Sequence, residues 1–415
     1  MEKEKYDLII KNGFVVSAEA LFGTITKSRV QNQIISTNLI IPFLLKNEKV
    51  VFIGKINEEC EKTIYAEGKY VLPGIIDGHM HVEAPMGGGL VSADNYYTQS
   101  ISAAFGGVTT FMDFTNTNRG DSLIESMAKR IEQMKKSAID YALHGRIVEA
   151  TDEILAEIKE FVNKGCPSFK MYMTYREDGF FADDDTMLKV FDAAKDANAL
   201  CLLHCESNPI LEYLDRKYEE KNLRQWWVHA ATKPIACEAE AANRAITFSK
   251  IVGNSILIVH TTNGEVLKLA DIAQSEGNPV YIETCPHYLT VFDDLYIRED
   301  GHLAICSPPL RKKENSDELW KGLADGTINI TGSDDCAFTR EAKEKYLVRD
   351  SNGNLVQDYK KVVSGMSGIE MRLPLLFTEG VCKGKISINR LVELTSTNLA
   401  KLYGMYPQKG VLQEG

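Results

Sequence analysis

No apolar run in the 415-residue sequence is long enough to cross a bilayer, and no apolar leader opens it. The chain begins Met1-Glu2-Lys3-Glu4-Lys5 and passes straight into a strand-like pattern. The expectation is a cytoplasmic protein without a membrane partner. A cysteine framework is also missing. The nine cysteines are odd in number and scattered, with no Cys-x-x-Cys pair, which predicts reduced, mostly buried thiols. Positive charge is in deficit: 47 Lys and Arg against 58 Asp and Glu leave a net charge of −11. That balance argues against nucleic acid as a partner. Low-complexity tracts are absent too, and 44% hydrophobic with 25% charged residues is ordinary for a globular chain. The length exceeds that at which a single core stops growing, so a large domain with a smaller companion is expected.

Residues 1–71 alternate short apolar runs with Gly and Asn turns, as in Asp7–Gly13 and Val50–Gly54. They read as a small β-sandwich domain. The polar stretch Thr24–Asn38 takes no assignment. From residue 72 the pattern changes to strands separated by helix-period segments. Eight candidate strands precede residue 335: Gly74–His81, Val108–Phe114, Ala142–Glu149, Ser168–Met173, Ala199–His204, Ser255–His260, Pro279–Thr284 and Ile328–Asp334. Amphipathic helices such as Ser122–Lys135 and Asp152–Asn163 lie between them. The repeat predicts an α/β fold, a TIM (β/α)8 barrel over residues 72–395. Residues 396–415 then read as a return to the small β domain whose C-terminal part is incomplete.

The C-terminal ends of barrel strands carry the chemistry of such folds. The first candidate strand ends in His79 and His81, which share a face at about 7 Å along the backbone. The fourth carries Lys170, the fifth ends in His204, the sixth in His260 and the eighth in Asp334. Four of the eight histidines on one rim, with a carboxylate, form a ligand set suited to zinc; manganese or iron would accept the same ligand types. By contrast His144, His229, His287, His302, Cys201 and Cys205 take structural readings.

Several motifs then carry a resemblance. They are Gly74-Ile-Ile-Asp-Gly-His-Met-His81, Ala103-Ala-Phe-Gly-Gly-Val-Thr-Thr110, Ser168-Phe-Lys-Met-Tyr-Met173, Glu283-Thr-Cys-Pro-His-Tyr-Leu289, Ser307-Pro-Pro-Leu-Arg311 and Leu394-Thr-Ser-Thr-Asn398. In these the chain resembles the amidohydrolase superfamily, and within it the dihydropyrimidinases and hydantoinases. The loop Ala84-Pro-Met-Gly-Gly-Gly89 is closer to that pattern than to the allantoinase one. The resemblance implies two divalent ions, expected to be zinc, bridged by Lys170 modified with CO2 to N6-carboxylysine. His79, His81, Lys170 and Asp334 would hold one ion, and Lys170, His204 and His260 the other. An unmodified ammonium among cation ligands would repel them, whereas a carbamate supplies two oxygens. A bridging hydroxide would attack the amide carbon. Tyr175 would donate to the oxyanion and Asp334 would shuttle the proton. Ser307, through its backbone, and Ser364 would bind the ring.

The implied reaction is opening of a hydantoin or dihydropyrimidine ring to an N-carbamoyl amino acid. The alternatives are another cyclic ureide or imide, as in allantoinases, and a dihydropyrimidinase-related scaffold without catalysis. Filled ligand positions argue against the scaffold. Two departures from relatives stand out: Asp335 follows Asp334 where His is usual, and Ser364 replaces an asparagine. Asp335 is expected to face away from the metals, and neutral rings are expected to outrank acidic dihydroorotate. A homotetramer or homodimer is expected, with Tyr213, Trp226 and Trp227 in Asn208–Pro234 as aromatic anchors for an interface.

Overall fold

From Ile75 onward, strands and helices alternate through a barrel in the computed structural model, which describes residues 6–18, 43–46, 49–53, 60–86 and 89–414. The barrel strands are β1 (Ile75–Asp77), β2 (Val108–Phe114), β3 (Asp140–Arg146) and β4 (Ser168–Tyr172). They continue as β5 (Leu200–His204), β6 (Ile256–Ile258), β7 (Val280–Thr284) and β8 (Ile330–Thr331). Neighbours in sequence are neighbours in the sheet, and the pairs from β2 to β8 are parallel. β4 and β5 are buried at every position, as parallel strands covered on both faces must be. Leu123–Met134 and Asp152–Asn163 form helices between strands. Ser122 and Thr151 cap them by accepting the Glu125 and Ile154 amides. Their buried faces follow the helical period, with Leu123, Met127 and Met134 in one and Ile154, Ile158 and Phe161 in the other.

The ring closes between β1 and β8. Past the strand ends, Asp334 N donates to His79 O at 2.9 Å and His81 N to Asp335 O at 2.8 Å, with Met80 bridged in parallel to Asp335. Asp77 Oδ1 accepts the amides of His79 and Ser333, at 3.2 and 3.1 Å. Arg372, wholly buried, donates to Thr331 O and Ile76 O and faces Asp77 Oδ2 at 3.5 Å. This clamp sets the two ends of the sheet side by side, and with them His79, His81 and Asp334.

Residues Ile76–Ile386 form one compact unit, while Met1–Ile75 and Ser387–Gly415 form another. In the second, Tyr6–Lys11 pairs antiparallel with Phe43–Lys46 and parallel with Cys60–Tyr65, and Lys49–Ile53 extends the sheet. Phe14–Val15 and Tyr70–Val71 make a separate parallel pair. Residues 387–395, assigned to the barrel on sequence, group with this unit instead. Asn389 Nδ2 donates to Ser17 O at 2.6 Å, and Ser396 Oγ to Gly74 O at 2.7 Å. The unassigned stretch Thr24–Asn38 lies outside the described residues. No helix among the described residues is long and apolar enough to cross a membrane. All nine cysteines are free, and seven of them are buried.

Candidate active site

Three barrel strands stop short of the sequence reading, so His79, His81, His260 and Asp334 sit where the chain has just left the sheet, whereas Lys170 lies within β4 and His204 ends β5. β1 ends at Asp77, β6 at Ile258 and β8 at Thr331, each two or three residues before its histidine or aspartate. The departure is visible in the backbone. Tyr175, His260 and Asp334 have φ of 63°, 41° and 48°, a region that side chains with a Cβ rarely occupy. Strain of this kind persists only where surrounding contacts enforce it, and it concentrates at functional positions.

All nine candidate residues, His79, His81, Lys170, Tyr175, His204, His260, Ser307, Asp334 and Ser364, line one cavity of about 70 Å³. His79 Nε2 and His81 Nε2 stand 3.2 and 3.3 Å from Asp334 Oδ1. His204 Nδ1 and His260 Nε2 converge at 2.9 Å. One ligand atom from each of His79, His260 and Asp334 falls within 4.8 Å of the others. His79 Nε2 and His260 Nδ1 are buried without a hydrogen-bond partner. Imidazole nitrogens of this kind, beside a carboxylate, are a donor set that fits divalent cations. Burial lowers the pKa of His81, His204 and His260, which favours neutral rings that keep one N–H and leave the other nitrogen's lone pair free. Burial alone would raise the Asp334 carboxyl, but His79 and the hydrogen bond from His81 hold it well below the usual range.

Lys170 is wholly buried. Among the described residues its Nζ meets no acceptor and no carboxylate, only the ring faces of Phe114 and Tyr172 at 5.4 and 5.2 Å. Burial lowers its pKa to about 8, against the pull of Asp334 and Glu283. Tyr175 packs edge-on to His204, with ring centroids 5.1 Å apart. Burial raises its phenol well above the ordinary value, while the Ser307 side chain hydrogen-bonds to it. Ser307 Oγ and Ser364 Oγ are 3.5 Å apart, so the two expected ring-binding positions form one wall.

Two carboxylates escaped the sequence reading. Glu283, at the end of β7, takes His79 Nδ1 at 2.7 Å, and Glu206, two residues past His204, takes His204 Nε2 at 2.7 Å. Each sets the tautomer and direction of its imidazole, the usual second partner of a metal-binding histidine. Burial opposes the Glu206 charge, yet Lys233 and His204 outweigh it and hold the group at about 2. Gly332 leaves room for this arrangement: a Cβ there would lie 2.7 Å from Glu283 Oε2 and 3.0 Å from His79 Cβ. Glu283 opens one of the motifs that carry the resemblance, yet neither it nor Glu206 shows in sequence which histidine it meets.

Asp335 turns away from the cavity and accepts from Gln99 Nε2, Gly368 N and Ile369 N at 2.9, 2.6 and 3.0 Å. Burial raises its carboxyl to about 6. His144 bonds Ser168 Oγ and Gly78 O, and His229 bonds Cys306 O, as structural residues. His302 faces Glu344 at 3.3 Å. Cys201 and Cys205 are buried, with thiols raised by burial. His287, by contrast, lines the cavity with neither ring nitrogen hydrogen-bonded.

Comparison with known proteins places this arrangement in context. A profile of the amidohydrolase family matches residues 70–415. The D-hydantoinase of Geobacillus stearothermophilus is 35% identical over 413 residues, spanning 98% of this chain and 82% of that protein. The D-hydantoinase of Ralstonia pickettii is 36% identical over 412 residues, 99% of this chain and 84% of that one. Among solved structures, the dihydropyrimidinase of Brevibacillus agri NCHU1002 superposes with a TM-score of 0.89 at 36% identity. That match covers 98% of this chain and 84% of the other.

Proposed function

The chain belongs to the amidohydrolase family, and we propose that its rim cavity holds two zinc ions and opens a hydantoin or dihydropyrimidine ring. The protein is a metal-dependent hydrolase of cyclic amides. Water adds across the ring C–N bond, and the product is an N-carbamoyl amino acid. The observation that carries the site assignment is the meeting of His79, His260 and Asp334 within 4.8 Å, beside a buried, unpaired Lys170.

His79, His81, Lys170 and Asp334 would hold one ion, and Lys170, His204 and His260 the other, with Lys170 as N6-carboxylysine. When bound, the pair supplies Lewis acidity, bringing the pKa of a water towards ~7 and polarising the scissile carbonyl. The chain's own groups do the rest. Glu283 and Glu206 orient two of the imidazoles. Asp334, ionised, accepts the proton of the attacking water and returns it to the leaving ring nitrogen. Tyr175, kept protonated by its raised pKa, donates to the developing oxyanion. The Ser307 and Ser364 wall meets the ring's adjacent donor and acceptor groups.

A panel of hydantoin, dihydrouracil, allantoin and succinimide, offered to the zinc-loaded protein, tests the reading. Turnover of hydantoin or dihydrouracil to the N-carbamoyl acid is expected, and failure on both would reject it. Tyr175→Phe should lower kcat by about 10²- to 10³-fold, the usual effect of one oxyanion donor, with little change in KM. Near-normal kcat in that variant would remove Tyr175 from the mechanism.

A homotetramer or homodimer and a cytoplasmic location complete the proposal. Nine free thiols suit a reducing compartment; recovery of the protein outside the cytoplasm on cell fractionation would exclude it. Tyr213 and Trp227, 52% and 41% exposed, remain available as interface anchors. Trp226 does not. It is wholly buried within the chain, with Nε1 donating to Glu299 O at 3.2 Å. Light scattering that returns a monomer at micromolar concentration would reject the assembly.

A further inference from the structure

A second, larger cavity of about 770 Å³ adjoins the metal-ligand cavity, and the two share His81, Met86, Tyr175 and Ser364 as lining. A ring held against Tyr175 and Ser364 would therefore project its substituent into this space. Arg146 lines it. The residue ends β3 and pairs in register with Lys170 of β4, so its side chain leaves the sheet on the same face, one strand over. Its guanidinium stacks on Phe180 at 4.4 Å, and the residue as a whole is only 6% exposed.

Among the described residues no carboxylate pairs directly with Arg146; Asp121 and Asp113 act on it only from beyond ion-pair distance. Nε donates to Thr117 O at 2.9 Å and Nη2 to Asn118 Oδ1 at 3.1 Å, which uses two of the five guanidinium N–H groups on neutral acceptors. Among the described residues, no carboxylate comes within 4.0 Å of it. Burial lowers its pKa. The other charges of the cavity are accounted for. Arg130 is neutralised by Asp113 at 2.8 Å, Lys360 and Lys361 face Glu219 and Asp358 at 3.4 and 3.9 Å, and Asp178 is exposed to solvent. Buried charges are normally paired, because an isolated one costs several kcal/mol. A buried arginine that lines a ligand cavity with no directly paired carboxylate leaves N–H groups for a charge-assisted hydrogen bond to an anionic ligand.

We propose that Arg146 forms a carboxylate subsite, and that the preferred substrates are cyclic amides whose exocyclic substituent carries a carboxylate. This rests on the cyclic-amide reading and deepens it. The expectation that neutral rings outrank acidic ones had considered only a second carboxylate at the rim. Asp335 faces away, so the charge next to the ring site is that of Arg146.

The test compares 5-(2-carboxyethyl)hydantoin with its neutral isostere, 5-(2-carbamoylethyl)hydantoin, on the zinc-loaded protein. A kcat/KM ratio of at least ~10 in favour of the acid is expected, the scale of one charge-assisted hydrogen bond. Arg146→Met should bring the ratio to one or below, and Arg146→Lys should restore part of it. Calorimetry with N-carbamoylglutamate and N-carbamoylglutamine reads the same preference without turnover. A wild-type ratio near one, with the amide hydrolysed, would overturn the carboxylate subsite and leave the cyclic-amide reading standing. Hydrolysis of neither hydantoin would count against that reading, and the calorimetric preference would still decide the role of Arg146. Equal binding of the two carbamoyl products would overturn it.

Discussion

Replacing Lys170 by Ala is expected to lower bound zinc from two ions per chain to one or fewer and to reduce turnover by at least ~10³-fold. That loss corresponds to the several kcal/mol that Lewis-acid stabilisation contributes. The reasoning starts from a misfit. Lysine is rarely buried unless paired, yet Lys170 is wholly buried, between aromatic faces and beside histidines that would themselves bind cations. As an ammonium it would lack partners and repel any ion placed there. As a carbamate it would carry one negative charge shared by two oxygens, which could serve a separate ion each. Burial already favours the neutral amine that reacts with CO2, since it lowers the pKa to about 8. Short carboxylic acids should restore part of the activity of Lys170→Ala, because they can supply the missing bridge. They should not rescue Lys170→Arg, whose permanent cation occupies the same space. Elemental analysis finding two ions in Lys170→Ala, with near-normal turnover, would remove the bridging role.

Much of the barrel and the rim was legible because it depends on local pattern. Period-two and period-3.6 segments alternate strongly enough to reveal eight βα units, and each rim residue follows an apolar run that ends abruptly. What escaped depends on pairs far apart in sequence. Glu283 reaches His79 across 204 residues, and Arg372 reaches the carbonyl of Ile76 across 296. No periodicity announces such pairs. The left-handed backbone at Tyr175, His260 and Asp334 was equally hidden, since the residues that reveal such turns by type are Gly and Asn. Strand ends at β1, β6 and β8 are hidden for the same reason, since there the chain turns out of the sheet before its histidine or aspartate, while β5 runs up to His204. Trp226 was misjudged by composition, because a tryptophan in a polar helix-rich segment looks the same whether it anchors an interface or fills the chain's own core. Arg146 reads in sequence as one more charged residue inside the candidate strand Ala142–Glu149; its burial with no directly paired carboxylate among the described residues sets it apart.

Asp334→Asn should reduce kcat by about 10²- to 10⁴-fold, the range for a lost general acid–base. The substitution preserves the side chain's shape, and its oxygen can still face His79 and His81, which stand 3.2 and 3.3 Å from Oδ1. What it removes is the capacity to hold a proton. In the native protein burial raises the carboxyl while the surrounding imidazoles outweigh it and keep its pKa well below the usual range. The group is therefore ionised at neutral pH and ready to accept the proton of the attacking water. Returning that proton matters most when the leaving nitrogen is strongly basic. Ring amides with an acidic leaving nitrogen, such as succinimide-type imides, should accordingly lose less on the substitution than dihydrouracil does. The comparison separates proton transfer from a defect in metal binding, since the latter would lower both substrates alike and appear in elemental analysis. Equal losses on both rings with full zinc content would take the proton shuttle away from Asp334 and pass it to another group, for which His287, which lines the cavity with no hydrogen-bond partner among the described residues, is a candidate.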